Sequence, residues 1–450
     1  MLQPRLHIVI AVNALVFFRL ALCPEPAAAQ RVTDGAAFTE WASRTARPLP
    51  ERDTGTVEPN GKDWITQLVR NARVLGIGES AHDVHEFLEL RSLITRRLIQ
   101  QGRIAAVVME SGFAEGLPID AWLAGRSSTP PNFDEHLSYG FGREAELLEM
   151  LRWIRVHNAQ SPPDRQVHFY GADLPSDGGG SLEPALTPVW SYLESVDPGF
   201  ARSARSRIEP TAKVLDTRSY EIVGRYSGLS VASRDSLHLA LDDLGARFAK
   251  HKEDYVGRSS IAEFAWMARL VEVARQTEEA VRLGWNHPTN PRDRAMASNI
   301  RWIEARERGR GLVVVWAHNL HVARVPIGGP IFEARGPAVM SMGQYLQRLF
   351  GDRYVAIGTS FRTGGPDSTQ SAKPLSVDAA LANVRHARFG VEIRSAPTVG
   401  AVAAWLEQPR LMRAENGYVS VRVRQAYDAL LFLDSVRTAN HVIPASAAER

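Results

Sequence analysis

Four side chains that can perform acid–base chemistry occur within a single short stretch of the chain. Glu79, His82, His85 and Glu86 follow directly after the apolar residues 74–77. Such an apolar run predicts a short buried strand, and in open α/β sheets the functional crevice lies beyond the carboxyl ends of the strands. Placing two carboxylates and two imidazoles at a strand end is unfavourable for packing alone. This stretch is therefore the first candidate for an active site.

Ionisable side chains also follow three later apolar runs, each of which predicts a further buried strand. The residues at these three ends are Glu110, then Asp173, then the group His318, Asn319 and His321. Because ligands bind at the carboxyl ends of such strands, we expect these side chains to converge with the first candidate stretch. A role in locking a turn is the alternative for Asp173, since Asp is common in turns.

The elements that would position these residues alternate between helices and strands. Strands are predicted at 73–78, 104–109, 167–171, 311–316, 354–357 and 429–433, and helices at 64–71, 84–101, 143–158, 291–307 and 340–350. This alternation predicts an α/β fold with a mostly parallel central sheet flanked by helices.

A long stretch in the middle of the chain has a different character. Strand signals are missing from residues 183 to about 285, and apolar residues recur at helical spacing, as in Leu237, Leu241, Leu244 and Phe248. We interpret this stretch as an inserted helical subdomain. The predicted organisation is a signal peptide at 1–29, a catalytic α/β domain in two parts, 30–182 and 289–450, and a helical insertion at 183–288.

The first 29 residues resemble a secretory signal. Arg5 precedes the apolar stretch 8–22, and Ala27 to Ala29 form a small-residue cleavage site. The apolar stretch is shorter than the ~18–20 residues that span a membrane. We therefore expect export to the periplasm or beyond, with no stable membrane insertion after cleavage. A retained membrane anchor is the alternative.

Composition narrows the classes of function. The 450 residues are 44% hydrophobic, which is enough for a large core, and the formal net charge is only +3. The Lys and Arg residues form no dense run, so no nucleic-acid partner is expected. The only cysteine, Cys23, lies in the predicted signal, so the mature chain would have no disulfide, no thiol nucleophile and no cysteine zinc site. The oligomeric state stays open.

The residues leave two further chemistries open. No Gly-x-Ser-x-Gly elbow occurs, which disfavours a serine esterase, although Ser80 and Ser111 stand beside candidate carboxylates. A metal site is the second alternative, because histidines occur in two pairs spaced three apart. The alternative ligands for zinc or manganese are His82, His85, Glu86, His318 and His321. A non-catalytic exported protein that binds a ligand is a third interpretation.

Several motifs together resemble the erythromycin esterase family. They are Gly78-Glu-Ser-Ala-His82 with Glu86, Val108-Met-Glu110, Tyr170-Gly-Ala-Asp173, Arg292-Asp-Arg-Ala-Met-Ala-Ser-Asn299 and Trp316-Ala-His-Asn-Leu-His-Val-Ala-Arg324. They occur in the family's order between about residues 70 and 434. The Gly-Glu-x-x-His signature is also loosely similar to that of the metal-dependent Tiki/TraB peptidases.

The resemblance implies hydrolysis of a carboxylic ester or macrolactone by water, without an obligatory metal or other cofactor. It implies His82 as general base with Glu79 beside it, Glu110 and His318 completing the centre, His321 nearby, and Arg91 as a looser match. A neutral imidazole with a pKa near ~6.5 can accept a proton from water. His318 or Arg91 would stabilise the oxyanion, and Asn319 and Asp173 would contact the substrate.

Two positions depart from the family's usual pattern. Asp83 and Leu320 stand where the family usually has glycine, a residue that permits positive φ or a close backbone approach. The resemblance therefore implies the family's reaction class for this chain more directly than it implies the family's substrate. A small-molecule ester or lactone is expected as the substrate, and a macrolide substrate would imply antibiotic resistance.

Overall fold

The computed structural model describes residues 26–49, 63–217, 221–365 and 371–442. Most of the predicted signal peptide lies outside these residues, and its last four residues begin the first described helix. Export and signal cleavage therefore stay predictions. None of the helices in the described ranges is long and apolar enough to cross a membrane.

Strands in the described ranges form one large sheet and one small one. Their bounds are β1 (Arg47–Pro48), β2 (Val74–Glu79), β3 (Ile104–Gly112), β4 (His168–Asp173), β5 (Leu312–His318), β6 (Tyr354–Gly364), β7 (Arg388–Glu392), β8 (Arg410–Ala414), β9 (Gly417–Val421) and β10 (Ala429–Val436). The large sheet has the order β1-β7-β10-β6-β2-β5-β3-β4, and β8 pairs with β9 in a separate antiparallel hairpin. From β10 to β4 all neighbours are parallel, whereas β7 and β1 are antiparallel additions at one edge.

Helices surround this sheet. Their bounds are α1 (Pro26–Thr45), α2 (Trp64–Leu68), α3 (His85–Gln100), α4 (Gly116–Leu123), α5 (Phe133–His136), α6 (Ala145–Ala159), α7 (Pro175–Gly179), α8 (Glu183–Val196), α9 (Pro198–Val214), α10 (Glu221–Gly228), α11 (Val231–Lys250), α12 (Lys252–Arg258), α13 (Ile261–Leu283), α14 (Pro291–Arg306), α15 (Asn319–Val322), α16 (Met342–Phe350), α17 (Val377–Ala382), α18 (Gly400–Glu407) and α19 (Val423–Ala426). The predicted fold class, a mostly parallel sheet flanked by helices, is confirmed.

The continuous apolar runs are explained by burial on both faces of the sheet. In β5, Val313 and Val315 belong to one hydrophobic cluster, while Val314 and Trp316 belong to another on the opposite face. Successive side chains of a strand point to opposite faces. A central strand covered by helices on both sides therefore has an apolar residue at every position.

The stretch between β4 and β5 contains helices and no strand in its described part. The residues singled out by their spacing, Leu237, Leu241, Leu244 and Phe248, are all buried and belong to the larger hydrophobic cluster. The helical character predicted for this stretch is thus what the structure shows. Its division from the rest as a subdomain at residues 183 and 288 stays a prediction.

Four strands, β1, β7, β8 and β9, were not predicted, and β6 is much longer than predicted. Strand β6 continues to Gly364, beyond the predicted end at residue 357. Strand β7 begins with Arg388, and β8 contains Arg410 and Arg413, so neither has a continuous apolar run. Arg410 and Arg413 are nevertheless buried, and their guanidinium groups lie over the rings of Trp405 and Phe361.

Candidate active site

The carboxyl ends of four parallel strands bring the predicted side chains together. Strand β2 ends at Glu79, and Asn319 follows the end of its neighbour β5. The two ends approach so closely that a Cβ added at Gly78 would lie 2.2 Å from Oδ1 of Asn319. Glycine at this position is therefore required by the close approach of the two strand ends.

Glu79 joins an imidazole to a buried guanidinium. Its Oε1 lies 2.8 Å from Nδ1 of His82, and its Oε2 lies 2.9 Å from Nη2 of Arg91. Burial alone would raise the pKa of Glu79, but Arg91 and His82 outweigh it and keep that pKa below its ordinary value. The carboxylate is therefore ionised at neutral pH and fixes one edge of the His82 ring.

His82 lies in the loop between β2 and α3. Its side chain is 31% exposed, compared with 3% for His318 and 10% for His321. The His82 ring packs edge-on against Phe141, with 5.3 Å between ring centroids, and parallel to Tyr139 at 6.2 Å. Of these three imidazoles, His82 is the one that solvent reaches most readily.

The charges around His82 favour its protonated form. Burial lowers the pKa of His82, but the hydrogen bond to Glu79 and the charges of Glu79, Glu110 and Glu415 outweigh it and raise that pKa to about 9. When the ring loses its proton, Nδ1 keeps the hydrogen that is donated to Glu79. The lone pair then lies on Nε2, on the ring edge away from Glu79.

A second carboxylate, Glu110 at the end of β3, organises another part of the centre. One oxygen accepts the backbone N–H of His318 at 2.7 Å, and the other lies 3.2 Å from Nε2 of His321 and 3.1 Å from Nη2 of Arg292. Burial raises the pKa of Glu110, but His321, His82 and Arg292 outweigh it and hold that pKa well below the ordinary value.

His321 is held between two carboxylates. Its Nδ1 lies 2.9 Å from Asp293, and its Nε2 faces Glu110. Burial lowers its pKa, yet these carboxylates outweigh burial and raise the pKa to about 10. His321 is therefore a fixed cation at neutral pH, and neither of its nitrogens is available as a base.

Asp173, at the end of β4, contacts Arg292 and Tyr139. The Arg292 guanidinium donates to both oxygens of Asp173, and Nη2 also donates to the Tyr139 hydroxyl oxygen at 2.8 Å. The Tyr139 hydroxyl in turn donates to Asp173 at 3.1 Å. These bonds fix the ring that stacks on His82. The predicted substrate contact of Asp173 stays a prediction, while its observed contacts orient Arg292 and Tyr139.

His318 has a defined tautomer. Its Nδ1 accepts the backbone N–H of Leu320 at 3.1 Å, so the ring proton lies on Nε2. That nitrogen is 3.1 Å from the carbonyl oxygen of Ser80 and 3.2 Å from Oε1 of Glu415. The His318 ring centroid is 5.3 Å from that of His82, so a donor N–H stands beside the candidate base.

Arg91 is close to the centre but buried beneath it. It is 1% exposed, and its guanidinium lies 5.5 Å from the ring centroid of Trp316. Nearby Glu144 is also buried, and burial together with the Glu79 charge raises its pKa to about 8. Because Glu144 is then mostly protonated at neutral pH, Glu79 is the main counter-charge of Arg91. Its predicted role at an oxyanion stays a prediction.

Asn319 makes contacts that the prediction did not include. Its amide nitrogen donates to the carbonyl oxygen of Thr359 at 2.7 Å, and its Oδ1 accepts the backbone N–H of Thr359 at 3.1 Å. Both ends of the amide therefore tie the end of β5 to β6. In the structure the amide holds two strand ends together, and the expected contact with substrate stays a prediction.

The alternative metal ligands do not form one site. His85 faces Glu146 and Glu89, and Glu86 accepts hydrogen bonds from Arg437. Both residues lie in the first turn of α3, and these contacts do not include His82, His318 or His321. Among the described residues, no group of three or more His, Cys, Asp or Glu side chains has a geometry suited to a metal ion. The ligand set proposed for zinc or manganese is therefore wrong in His85 and Glu86.

The two positions that usually carry glycine behave differently from one another. Asp83 has a φ of 57°, in the left-handed region where glycine is favoured and Asp is tolerated. Its carboxylate contacts Nε2 of His441, and its carbonyl oxygen accepts the N–H of Ala439. Leu320 has no positive φ. Of these two positions, only Asp83 therefore adopts the glycine-like conformation.

Neither serine proposed as a nucleophile is placed for attack. Ser80 and Ser111 are both buried, at 0% and 1% exposure, and the Ser111 hydroxyl oxygen accepts the backbone N–H of Ser138. Neither hydroxyl is therefore open to solvent, whereas the His82 side chain is 31% exposed.

Four residues of the centre were missed as site residues. Arg292 and Asp293 stand in a motif that was noticed without a role being given to either. Tyr139 lies in a short 3-10 segment with a φ of 58°, and Glu415 lies at the tip of the β8–β9 hairpin with a φ of 50°. No spacing in the sequence indicates Tyr139 or Glu415, because both reach the site from separate loops.

Together the fold and this cluster define a class: α/β proteins that hold imidazoles and carboxylates, suited to acid–base catalysis, at the carboxyl ends of a parallel sheet. The model of the erythromycin esterase family matches residues 99–436, which is most of the chain. The chain therefore belongs to the erythromycin esterase family. Membership supports an esterase-like hydrolase. Glu79, His82 and Arg91 lie before the matched residues.

Individual relatives agree with this assignment. The chain is 22% identical to erythromycin esterase type II of Escherichia coli over 341 residues, covering 73% of this chain and 78% of that protein. It is 21% identical to erythromycin esterase type I of Escherichia coli over 415 residues, covering 87% and 97%. The solved structure of an erythromycin esterase mutant in its open conformation has a TM-score of 0.69 and 17% identity, covering 88% of this chain and 98% of that one. This structural likeness shows the fold.

Proposed function

We propose that this protein hydrolyses a carboxylic ester or lactone with a water molecule that His82 activates. The observation that carries the proposal is the placement of His82. Its ring is partly exposed, and Glu79 holds Nδ1 at 2.8 Å so that Nε2 is the free nitrogen. A base held in this way can take a proton from water as the water attacks the carbonyl carbon.

Glu79 has two roles in the proposed reaction. It keeps the proton of neutral His82 on Nδ1, and it stabilises the imidazolium that forms when Nε2 takes the second proton. Arg91 holds Glu79 from behind at 2.9 Å and keeps it ionised. Glu79 and Arg91 thus form a buried ion pair, with each side chain only 2% exposed.

His318 is the proposed donor to the developing oxyanion. Its Nε2 carries the proton, and its ring stands beside that of His82. Glu110 fixes the backbone of His318, and His321 and Arg292 balance the charge of Glu110. In the structure this N–H faces the carbonyl oxygen of Ser80 and Oε1 of Glu415. The proposal therefore requires the oxyanion to take the place of one of these acceptors, because a donor stabilises a forming negative charge only when it points to it.

The substrate is proposed only as a class. The relatives are named as erythromycin esterases, and a macrocyclic lactone is one candidate substrate for this chain. Simple carboxylic esters are the other candidates. The reaction as proposed needs no metal and no cofactor, since water, a base and an oxyanion donor are sufficient for ester hydrolysis. Export of the protein through a cleaved signal belongs to the same proposal.

The test is a hydrolysis assay on macrocyclic lactones and simple esters, with and without a chelator. Wild type is compared with His82→Ala and with His386→Ala, a control at an exposed histidine on another part of the chain. We expect turnover that survives chelation, a loss of at least ~100-fold in His82→Ala and no change in the control.

Other results would contradict the proposal in different ways. Unchanged activity in His82→Ala would show that the base lies elsewhere. Loss of activity with chelator, and its return with zinc or manganese, would make the protein a metal-dependent hydrolase instead. Ligand binding without turnover on any ester would identify an exported binding protein.

A further inference from the structure

The β8–β9 hairpin lies outside the main sheet and places its tip at the active site. The tip residue Glu415 donates its backbone N–H to the carbonyl oxygen of Ser80 at 2.7 Å. Further along the hairpin, the backbone N–H of Arg413 donates to buried Asp378 at 2.9 Å. The hairpin is thus fixed both at its tip and along β8, and its tip is joined to the loop that carries His82.

The carboxylate of Glu415 contacts both imidazoles of the proposed centre. Its Oε1 is 3.2 Å from Nε2 of His318, 3.2 Å from the backbone nitrogen of His82 and 3.8 Å from Nε2 of His82. The Glu415 side chain is 36% exposed, compared with 2% for Glu79 and 4% for Glu110. Of these three carboxylates, Glu415 is therefore the one that water reaches.

The separation of 3.8 Å between Oε1 of Glu415 and Nε2 of His82 suits a bridging water. It is too long for a direct hydrogen bond, whereas a water about 2.8 Å from each atom fits between them. Neutral His82 would accept one proton of this water at Nε2, and Glu415 would accept the other. Both protons are then engaged, and a lone pair of the water oxygen is left to attack.

We propose that Glu415 is a catalytic residue that holds the attacking water jointly with His82, an inference that rests on the proposed function. The water oxygen forms a bond to the carbonyl carbon, the carbonyl π electrons move to the oxyanion, and one water proton passes to Nε2 of His82. When the tetrahedral intermediate collapses, the bond to the alcohol oxygen breaks and that oxygen takes the proton from His82. The second water proton stays on the carboxylic acid product.

The charges of the site keep Glu415 in the form that accepts a proton. Burial raises the pKa of Glu415, but the hydrogen bond and charge of His318, with the charge of His82, outweigh it and lower that pKa below its ordinary value. The backbone of Glu415 has a φ of 50°, a left-handed conformation that is strained for residues other than glycine. That strained conformation turns the side chain of the hairpin tip towards the two histidines.

The test compares Glu415→Gln and Glu415→Asp with Glu194→Gln, a control that removes the same charge from an exposed helix position. The measurements are kcat and KM as functions of pH, and the pKa of His82 by NMR titration. We expect Glu415→Gln to lower the high-pH plateau of kcat by about tenfold or more, to change KM little and to lower the pKa of His82. Glu415→Asp keeps the charge but places it farther from His82 and His318, because the side chain is one methylene shorter. The high-pH plateau of kcat should therefore fall in this variant too.

A purely structural role for Glu415 predicts different values of kcat and of the His82 pKa in the variants. If the plateau of kcat in Glu415→Gln stays within twofold of wild type while His82→Ala abolishes turnover, the role of Glu415 is wrong and the proposed function stands. An unchanged His82 pKa in Glu415→Gln would overturn the contact itself. If wild type hydrolyses none of the esters or lactones, the proposed function and the role of Glu415 both fail.

Discussion

Glu79→Gln is the substitution that most directly tests how the protein sets the basicity of His82. The carboxylate at 2.8 Å from Nδ1 opposes the effect of burial and, with Glu110 and Glu415, raises the pKa of His82 to about 9. Gln has nearly the same size and can still accept the Nδ1–H hydrogen bond. The substitution therefore removes the charge while retaining most of the geometry.

The raised pKa fixes the pH dependence expected of wild type. With a pKa of about 9, roughly 1% of His82 is the neutral base at pH 7 and about half at pH 9. Accordingly, kcat/KM should rise about 50-fold between pH 7 and pH 9. An imidazole at its ordinary pKa of ~6.5 would already be about three-quarters neutral at pH 7 and would gain almost nothing.

Glu79→Gln should change both the midpoint and the high-pH plateau of this profile. Losing the charge lowers the pKa of His82 towards the ordinary value, so the midpoint of the profile shifts to lower pH by about one unit or more. The high-pH plateau should fall by about 10- to 100-fold, because the imidazolium that forms during attack is no longer stabilised. The variant also leaves buried Arg91 without its main counter-charge, so its folding must be verified by circular dichroism.

The assay is kcat/KM from pH 6 to 10.5 with buffer blanks subtracted, alongside NMR titration of His82. Glu40→Gln is the control, since Glu40 is an exposed carboxylate on helix α1. A flat wild-type profile between pH 7 and pH 9 would refute the reasoning about the basicity of His82. An unchanged midpoint in Glu79→Gln would refute the assignment of Glu79 as the carboxylate responsible.

Three further substitutions test the supports of the site by urea unfolding. Arg91→Met should lower the free energy of unfolding by about 3–5 kcal/mol, because buried Glu79 loses its guanidinium partner and keeps only His82; an unchanged midpoint would contradict this. Gly78→Ala should lower it by about 1–3 kcal/mol, since the added Cβ would lie 2.2 Å from Oδ1 of Asn319; wild-type stability would show that the strand ends can separate. Asp83 has a φ of 57°, so Asp83→Val should lower the free energy of unfolding by about 1–3 kcal/mol and Asp83→Gly should not lower it. Equal effects of the two substitutions would contradict a left-handed loop.

Much of the fold could be predicted because its central strands are covered on both faces. Residues 74–77 and 311–316 are continuous apolar runs for that reason, and both are strands of the sheet. The hairpin could not be found in the same way. Its first strand contains Arg410 and Arg413, and its partner Gly417–Val421 is too short and too mixed to stand out.

The candidate site was predicted where chemistry follows directly after a strand. Glu79, Glu110 and His318 are the last or nearly the last residues of β2, β3 and β5, so finding the strand also finds the side chain. Asn319 shows the limit of this approach. A polar residue at a strand end can face a neighbouring strand instead of the cleft, and its amide is bound to Thr359.

By itself the sequence determined the kind of fold and the main reactive groups, because burial on both faces and polar strand ends leave a local pattern. Only the tertiary structure decided which nitrogen of His82 is free, that His321 is a fixed cation, and that Glu415 joins the centre. Glu415 stands 333 positions from His82, and their contact depends on a hairpin docking against the loop after β2. Tautomer and charge are set by neighbours in space. Neighbours that are distant along the chain leave no regular spacing that a sequence pattern could reveal.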